Sequence, residues 1–263
     1  MTFGICISVG AAHAADVAVK APLPPPPAPV ANWAGWYVGL NAGGDWGTAD
    51  PSTTIAQSGF FAFCPACVSD VANGGRQSFR TDGFTGGAQA GYNWQIGNWV
   101  AGLEADFEYF RSQGSSTATF FSPAPGCVCT ATIQSALTTN WLLTARPRLG
   151  FVVSDNYLFY GTGGLAVSEL KGNWNYMDNF GGGISTESGS ESQVKAGWTA
   201  GGGVEAKLQG NWVLGAEYLY VKFNDISTSS TNFVSTAAPL PATFNHSVDL
   251  AANIVRLRLS EKF

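Results

Sequence analysis

Strict alternation of apolar and polar residues in a repeated segment is the feature that most constrains this chain. Gly97–Phe110 reads GNWVAGLEADFEYF: every second residue from Trp99 to Tyr109 is apolar, and positions 102, 104, 106 and 108 hold Gly, Glu, Asp and Glu. Successive side chains of a β-strand point to opposite faces, so this is a strand with one apolar and one acidic face. Gly210–Phe223, GNWVLGAEYLYVKF, repeats the pattern after the same Gly-Asn-Trp start. Each segment is predicted to be the second strand of a tight hairpin, and a repeated hairpin favours a closed sheet.

Composition favours a membrane protein. Charged residues make up only 12% of the 263 residues, aromatic residues make up 13%, and 33 residues are Gly, whereas soluble domains usually carry about 25% charged residues. No apolar run approaches the roughly 18 residues that a membrane-spanning helix needs. These properties are typical of a transmembrane β-barrel, whose outer surface needs no charges. The net charge of −5 and the lack of a basic cluster argue against nucleic acid as a partner.

The N-terminal segment is predicted to lie outside the folded domain. The apolar stretch Phe3–Ala12 runs into the sequence AHA, an A-x-A cleavage site, which predicts a signal peptide over residues 1–14. Ala21–Val30 reads APLPPPPAPV and is too rich in Pro to pair in a sheet. Residues 15–34 are therefore expected to form a Pro-rich periplasmic leader, and residues 35–263 the barrel.

The alternating pattern recurs in eight segments, which are the predicted strands. They are Gly35–Gly47, Gly83–Ile96, Gly97–Phe110, Leu137–Val152, Tyr157–Leu170, Val194–Leu208, Trp212–Phe223 and Ser247–Phe263. Three short turns, Gly97-Asn98, Ser154–Asn156 and Gln209–Asn211, alternate with four long loops, Thr48–Asp82, Arg111–Ala136, Lys171–Ser192 and Asn224–His246. This plan predicts an all-β fold: an eight-stranded antiparallel up-and-down transmembrane β-barrel with short periplasmic turns and four long extracellular loops.

A soluble eight-stranded barrel of the lipocalin type is the rival architecture. Such a barrel would place an apolar ligand cavity inside and a polar surface outside. The polar faces here consist of Gly, Asn, Gln, Thr and a few charges, which are too sparse to solubilise a surface. Tryptophans gather near strand ends, as in the aromatic girdles of membrane barrels. They are Trp36, Trp46, Trp94, Trp99, Trp141, Trp198 and Trp212.

Several segments resemble one protein family. The leader ADVAVKAP, the opening NWAGWYVGLNAGGDWG, the middle segments YNWQIGNWVAGLEADFE and GTGGLAV, and the ending NIVRLRLSEKF are similar to the small outer-membrane β-barrel proteins of alphaproteobacteria, the porin-like surface antigens. The resemblance implies a location in the cell outer membrane, contact with outer-membrane lipid and lipopolysaccharide, and extracellular contacts through the long loops. It also implies that the terminal Phe263 is a signal read by the barrel-assembly machinery.

Two residues depart from what this family and fold imply. Glu261 stands on the outward face near the membrane boundary, where family endings usually carry an aromatic or neutral residue. Pro147 lies inside the fourth predicted strand, where it removes a hydrogen bond of the ladder. A bulge or kink is therefore expected at Pro147.

Histidine, the most common general base in enzymes, is nearly absent from the sequence. His13 and His246 are the only histidines, and His13 leaves with the signal peptide. A Ser-His-Asp hydrolase would need His246 as its base, but the neighbouring Ser247 would face the opposite side of a strand. His246 is interpreted as an ordinary loop residue, and the protein is not expected to be an enzyme or to hold a cofactor or metal.

The cysteines are best explained as disulfides. Four remain after Cys6 leaves with the signal: Cys64 and Cys67 in the first long loop, and Cys127 and Cys129 in the second. A Cys-x-x-Cys redox motif would need a βαβ pattern, which is missing, and a four-thiolate metal site is the weaker alternative. An oxidising compartment favours disulfides, for which three pairings exist.

Charged residues on the inward faces are predicted to pair, since an unpaired charge in a confined interior is costly. Heights above the turns predict two clusters: Glu104, Asp106 and Glu108 with Arg146 and Arg148, and Glu205 and Glu217 with Lys207, Arg256 and Arg258. They would plug a lumen that eight strands leave just wide enough for side chains. The sequence thus predicts a structural outer-membrane protein acting through envelope integrity and exposed loops; the alternative is a narrow porin for small solutes.

Overall fold

The computed structural model describes residues 32–122 and 129–263. These residues form twelve β-strands, one α-helix and two single-turn 3-10 helices. The strands are β1 Gly35–Ala49, β2 Ser52–Ile55, β3 Phe79–Ile96, β4 Trp99–Ser122, β5 Cys129–Val153, β6 Tyr157–Asp178, β7 Ser185–Lys207, β8 Trp212–Phe223, β9 Ile226–Ser230, β10 Val234–Ser235, β11 Phe244–Val248 and β12 Leu250–Lys262. Helix α1 is Pro65–Gly74, and the 3-10 helices are Gly59–Phe61 and Phe180–Gly182. No helix in the described ranges is long and apolar enough to cross a membrane.

Eight long strands close into an antiparallel barrel, which confirms the predicted architecture. The order around the ring is β1, β3, β4, β5, β6, β7, β8 and β12, and β12 pairs with β1 to close it. Short turns connect the strands at one end, here called the turn end, and long connections join them at the other, the loop end. Gly97 and Gly210 occupy two of these turns with φ of 60° and 72°, a backbone region that residues with a Cβ enter reluctantly.

The two faces of the wall are distributed as the alternation predicts. On β4, Leu103 and Phe107 are 56% and 58% exposed, while the intervening Glu104 and Asp106 are 4% and 2% exposed. The outer surface is therefore apolar and the interior polar. This arrangement excludes the lipocalin-type alternative, whose faces would be reversed.

Four strands extend far beyond the predicted segments. β4, β5, β6 and β7 contain 24, 25, 22 and 23 residues. The expectation that residues 111–136 and 171–192 are loops is wrong for most of both ranges, within the described residues. Above the apolar belt the outer face carries polar residues such as Thr, Gln and Asn. On β5 and β6 this reverses the alternation, since Ile133, Leu137, Trp174 and Tyr176 point inward and are buried.

A small three-stranded sheet, β2, β11 and β9 in that order, lies at the loop end. We call it the small sheet. β2 follows β1 after a break of two residues, and β9 follows β8 after a break of two residues. β11 precedes β12 with one residue between them. Residues 48–82 and 224–246, expected to be loops, thus contain short strands and α1. A separate apolar cluster that includes Phe61, Val71, Ile133 and Phe244 stabilises this end, and strands of four or five residues are too short to show a period.

Pro147 does not produce the expected bulge. The register of β5 with β6 is the same on both sides of it, Ala145 opposite Leu165 and Arg148 opposite Thr162, although no pair forms at Pro147 itself. Thr162 Oγ1 donates to the Pro147 carbonyl at 2.9 Å and replaces a ladder bond. The register shifts instead between Thr139 and Leu142 in this ladder.

Candidate functional site: the charged interior of the barrel

The charged residues that meet in the interior lie on two groups of neighbouring strands, β4 with β5 and β7 with β8 and β12. Glu104 on β4 lies opposite Arg146 on β5, and the same register places Arg148 opposite Gly102. A Cβ at Gly102 would lie 3.1 Å from Arg148 Cγ, so Gly leaves room for the long side chain. Antiparallel pairing and a period of two thus direct these side chains to one face.

The repeated half of the chain builds the matching side. Glu217 on β8 lies opposite Arg256 on β12, and Gly215 lies opposite Arg258. Glu205 on β7 is also opposite Gly215. The same Gly-and-charge alternation therefore positions acids and arginines on the facing wall.

Arg146 joins the two sides. Its Nη2 lies 2.8 Å from Glu104 Oε1 and 2.6 Å from Asp106 Oδ2, and its Nη1 lies 3.3 Å from Glu217 Oε1. Arg148 likewise crosses the lumen, with Nη2 2.7 Å from Glu205 Oε2. Each arginine thus contacts an acid that was assigned to the other cluster.

The second pair of arginines crosses in the opposite direction. Arg256 Nη1 lies 3.2 Å from Asp106 Oδ1, its Nη2 lies 2.5 Å from Glu217 Oε2, and it also contacts Glu108. Arg258 Nη1 lies 2.9 Å from Glu217 Oε1, and Arg258 also contacts Glu104. The division into two clusters is therefore wrong, because an eight-stranded lumen is narrow enough for guanidinium groups to reach the far wall.

We call the resulting single group the lumen network. It comprises Glu104, Asp106, Glu108, Glu205, Glu217, Arg146, Arg148, Arg256 and Arg258, each of which is at most 5% exposed. Five carboxylates therefore face four guanidiniums. Charge-assisted and bidentate hydrogen bonds of this kind are the strong ones, and burial removes the competition from water.

Two tyrosines belong to the network although no role was predicted for them. Tyr37 Oη donates to Glu104 Oε2 at 2.7 Å, and Tyr160 Oη donates to Glu217 Oε1 at 2.8 Å. The guanidinium carbon of Arg148 lies 4.2 Å from the Tyr160 ring centre. The signal in the sequence was a Tyr on the polar face of a strand, since a buried hydroxyl needs a partner.

Lys207 does not belong to the network, contrary to the prediction. Its Nζ donates to the Asn32 carbonyl at 3.0 Å and lies 4.8 Å from the Trp33 ring centre. Lys207 is the last residue of β7, so its flexible stem carries the ammonium toward the open mouth. If the Lys207 ammonium were buried next to Arg148, it would add a further positive charge to the interior.

Apolar layers lie above and below the lumen network. At the turn end, Trp33, Val100, Val152, Leu158 and Val213 form a buried cluster. Toward the loop end, a larger cluster includes Phe110, Leu142, Leu219 and Ile254, all of which are fully buried. Along the axis, the described residues therefore run from apolar to charged to apolar.

Trp33 is a further residue of this site that the sequence did not reveal. Residues 15–34 were expected to form a leader, of which only 32–34 lie in the described ranges, together with none of the signal peptide. Trp33 is fully buried in the mouth of the barrel, and its indole N–H donates to the Asp155 carbonyl at 3.3 Å. A single Trp before the first strand carries no periodic signal, so only its tertiary contacts identify it.

The disulfide prediction is confirmed for the three cysteines that lie within the described residues. Cys64 and Cys67 form a disulfide at the start of α1, where Cys64 Sγ also accepts a hydrogen bond from the Cys67 amide at 3.3 Å. Cys129 is also disulfide-bonded, and Cys127 lies outside the described residues. No group of three or more potential metal ligands occurs among the residues that the structure describes.

His246 is not the ordinary loop residue that was expected. It lies on β11, is 2% exposed, and stacks on Trp174 with ring centres 5.1 Å apart. Its Nδ1 lies 3.0 Å from Thr53 Oγ1, and its Nε2 lies 3.3 Å from Glu187 Oε2. These partners come from β2, β6 and β7, so no local pattern could have shown them.

Phe263 follows β12 at the turn end. Its amide donates to the Trp36 carbonyl at 2.9 Å, and its side chain is 71% exposed. The ring therefore contributes little to packing. Recognition of this residue by an assembly machinery stays a prediction.

Comparison with known proteins places this geometry in context. Residues 5–236 match the family model described as the outer membrane protein beta-barrel domain. The chain is 38% identical over 213 residues to the 31 kDa outer-membrane immunogenic protein of Brucella melitensis biotype 1, and the match covers 80% of each chain. It is 30% identical over 143 residues to the 22 kDa outer membrane protein of Rhizobium leguminosarum bv. viciae, covering 54% of each chain. The outer membrane protease OmpT from Escherichia coli aligns with a TM-score of 0.44 and 9% identity, covering 87% of this chain and 97% of that one.

Proposed function

Because the chain belongs to the outer membrane protein beta-barrel family, we propose that it is a structural protein of the outer membrane with a closed lumen. Its function lies in the wall, which contributes to envelope integrity, and in the extracellular segments, which meet other molecules. The turn end is periplasmic and the loop end is extracellular.

The crossed arginines of the lumen network carry this proposal. Arg146, for example, contacts three carboxylates, which lie on both sides of the lumen. A solute path along the axis would have to separate these buried charges, and breaking a buried pair costs about 3–5 kcal/mol. It would also have to pass the apolar layers, which offer no polar partner to an ion.

The extracellular half supports a surface role. β4 to β7 extend past the membrane belt, and α1 and the small sheet lie at the same end, in the connections from β1 to β3 and from β8 to β12. The similar Brucella protein is called an immunogenic outer-membrane protein. We extend this property to the present chain: its extracellular segments are accessible to antibodies and to other surface partners.

The role we propose is non-enzymatic. His246 is the only histidine in the described ranges, and it is buried against Trp174 and Glu187. A general base must reach the proton that it removes from a substrate. A ring enclosed in this way contributes to packing instead.

Single-channel recording in planar lipid bilayers tests the closed lumen. The folded barrel, identified by its shift in gel mobility on boiling, is expected to give no conductance steps. A matched variant with Glu104, Arg146, Glu217 and Arg256 all changed to Ser should fold less stably but keeps the apolar layers, so steps from it would show that the lumen network rather than the layers closes the lumen. Regular steps from the unaltered protein would contradict the proposal.

A narrow cation-conducting pore is the second candidate. The observation that favours it is a set of buried interior oxygens without a hydrogen-bond partner among the described residues: Asn41 Oδ1, Thr81 Oγ1 and Asn93 Oδ1. Such atoms require water or a cation. In the same recordings this candidate predicts small steps and a reversal potential set by the cation gradient.

A further inference from the structure

Two lysines converge at the periplasmic mouth of the barrel. Lys207 Nζ and Lys262 Nζ both donate to the Asn32 carbonyl, at 3.0 and 2.9 Å, and Lys262 Nζ also donates to the Ala34 carbonyl at 3.1 Å. Lys171 and Lys222 form the salt bridges that involve lysine within the described ranges, so neither Lys207 nor Lys262 has a carboxylate partner there. Two ammonium groups that share one carbonyl leave a local excess of positive charge.

A cavity of about 260 Å³ adjoins these lysines. The residues of its lining that matter here are Asn32, Lys207, Asn211, Trp212, Lys262 and Phe263. Three of the six ammonium N–H groups donate to protein carbonyls, which leaves three donors for a ligand. Several N–H donors around a site with excess positive charge suit a phosphate group.

Trp212 connects this cavity to a second one on the outer wall. That groove, of about 660 Å³, is lined by Trp212 and by the outward residues Val38, Leu40 and Leu259. It is apolar, faces the bilayer, and reaches the level of the periplasmic aromatic girdle. A phosphate bound at the lysines would therefore stand beside a groove suited to an acyl chain.

Glu261 lines the groove and precedes Lys262 in β12. It is opposite Trp212 in one ladder and opposite Val38 in the other. It forms no salt bridge within the described ranges, although a carboxylate on the lipid-facing side is costly unless it meets a cation or water. The residue that departs from the usual family ending thus stands where a cationic headgroup would meet it.

We propose that the periplasmic rim binds one phospholipid whose headgroup carries an ammonium, with its phosphate on Lys207 and Lys262, its ammonium on Glu261, and an acyl chain in the groove. Both charges of such a headgroup find a partner of opposite sign. A free phosphate would use only the lysines, and a headgroup without a cation would leave Glu261 unmatched.

Native mass spectrometry of the folded barrel in detergent tests the proposal with three probes: phosphatidylethanolamine, phosphatidylglycerol and inorganic phosphate. Phosphatidylethanolamine should be retained at the lowest concentration. Lys207→Met with Lys262→Met should weaken its binding about tenfold or more, because charged hydrogen bonds are lost. Glu261→Gln should remove the preference over phosphatidylglycerol while leaving phosphatidylglycerol binding unchanged.

The matched control changes two lysines on the extracellular side, Lys171→Met with Lys195→Met, and should retain the lipid as the unaltered protein does. Equal retention by the Lys207/Lys262 variant would overturn the proposal. Retention of inorganic phosphate without lipid, or equal retention of the two lipids by the unaltered protein, would also overturn it. Gel mobility verifies folding. If the double variant does not fold, unchanged lipid retention by Lys262→Met alone would overturn the proposal in the same way.

Discussion

At the scale of single residues, Arg146 is the centre of the barrel interior. Its guanidinium lies within 3.3 Å of carboxylate oxygens of Glu104, Asp106 and Glu217, which come from β4 and β8. These acids have other partners, but no other arginine contacts all three. The Arg146 guanidinium therefore compensates carboxylates on the neighbouring strand and also one on a strand across the lumen.

Removing Arg146 should strongly destabilise the folded barrel. Arg146→Ala leaves five buried carboxylates facing three guanidiniums, and we expect this loss of a buried partner to lower the free energy of unfolding by about 3–5 kcal/mol. Urea unfolding in micelles or vesicles, followed by gel mobility, measures this change.

The control for this prediction is Lys222→Ala. Lys222 is partly exposed and pairs with Asp249 near the rim, and such surface pairs contribute about 1 kcal/mol or less. Equal losses in the two variants would show that the interior charges are hydrated rather than buried.

Trp33 acts at the same scale on the periplasmic mouth. It is fully buried and packs in the cluster with Val100 and Val213. Trp33→Ala should lower the free energy of unfolding by roughly 3–5 kcal/mol through the cavity it leaves. The neighbouring Asn32, which is exposed, provides the control: Asn32→Ala keeps both its backbone carbonyl and the mouth packing, so a similar loss there would contradict this role.

At the scale of elements, the small sheet is held to the barrel by contacts that centre on His246. The ring links β11 to Thr53 on β2 and to Glu187 on β7, and it stacks on Trp174 of β6. The small sheet has only three short strands of its own. Its order therefore depends on this anchor more than on its ladder.

His246→Ala should loosen the small sheet without opening the barrel. Loss of its buried hydrogen bonds should lower the free energy of local opening by about 2 kcal/mol, or roughly thirtyfold in the rate of proteolysis between residues 224 and 246. Limited proteolysis of the refolded protein measures this rate. Asn245→Ala, at the exposed neighbouring position, should have little effect, and equal cleavage of the two variants would contradict the anchoring role.

At the scale of the whole molecule, closure of the ring leaves no free edge at the level where all eight strands pair. β12 pairs with β8 on one side and with β1 on the other, so the C-terminal strand completes the sheet that the N-terminal strand begins. Every membrane-spanning backbone group can then be satisfied within the protein. Closure also means that assembly depends on the last segment of the chain.

Phe263→Ala should separate assembly from stability. The ring is 71% exposed, and exposed substitutions usually change stability by roughly 0.5 kcal/mol or less, so the refolded variant should unfold like the unaltered protein. If the ring is read during assembly, the amount of folded protein in outer-membrane fractions of cells should fall. Equal amounts in cells would remove Phe263 from the assembly signal.

Local alternation predicted which residues face inward, including all nine members of the lumen network. It did not predict their partners, because Arg146 and Arg148 reach acids on strands that are distant in sequence. The prediction for Lys207 was wrong for a related reason. Alternation directs its side chain inward, but the flexible side chain carries the ammonium to the mouth of the barrel. The extracellular ends of β4 to β7 were not predicted because their outer side chains are polar there, which reverses the alternation on β5 and β6 and removes it on β7.

The sequence by itself determined the class, the number and the faces of the barrel strands, since the period of two is a local property that the bilayer enforces on every crossing strand. Only the tertiary structure decided how Trp33, His246 and the four interior arginines are used. Their partners follow from the diameter and stagger of the closed ring, and these are properties of eight strands together rather than of any one segment.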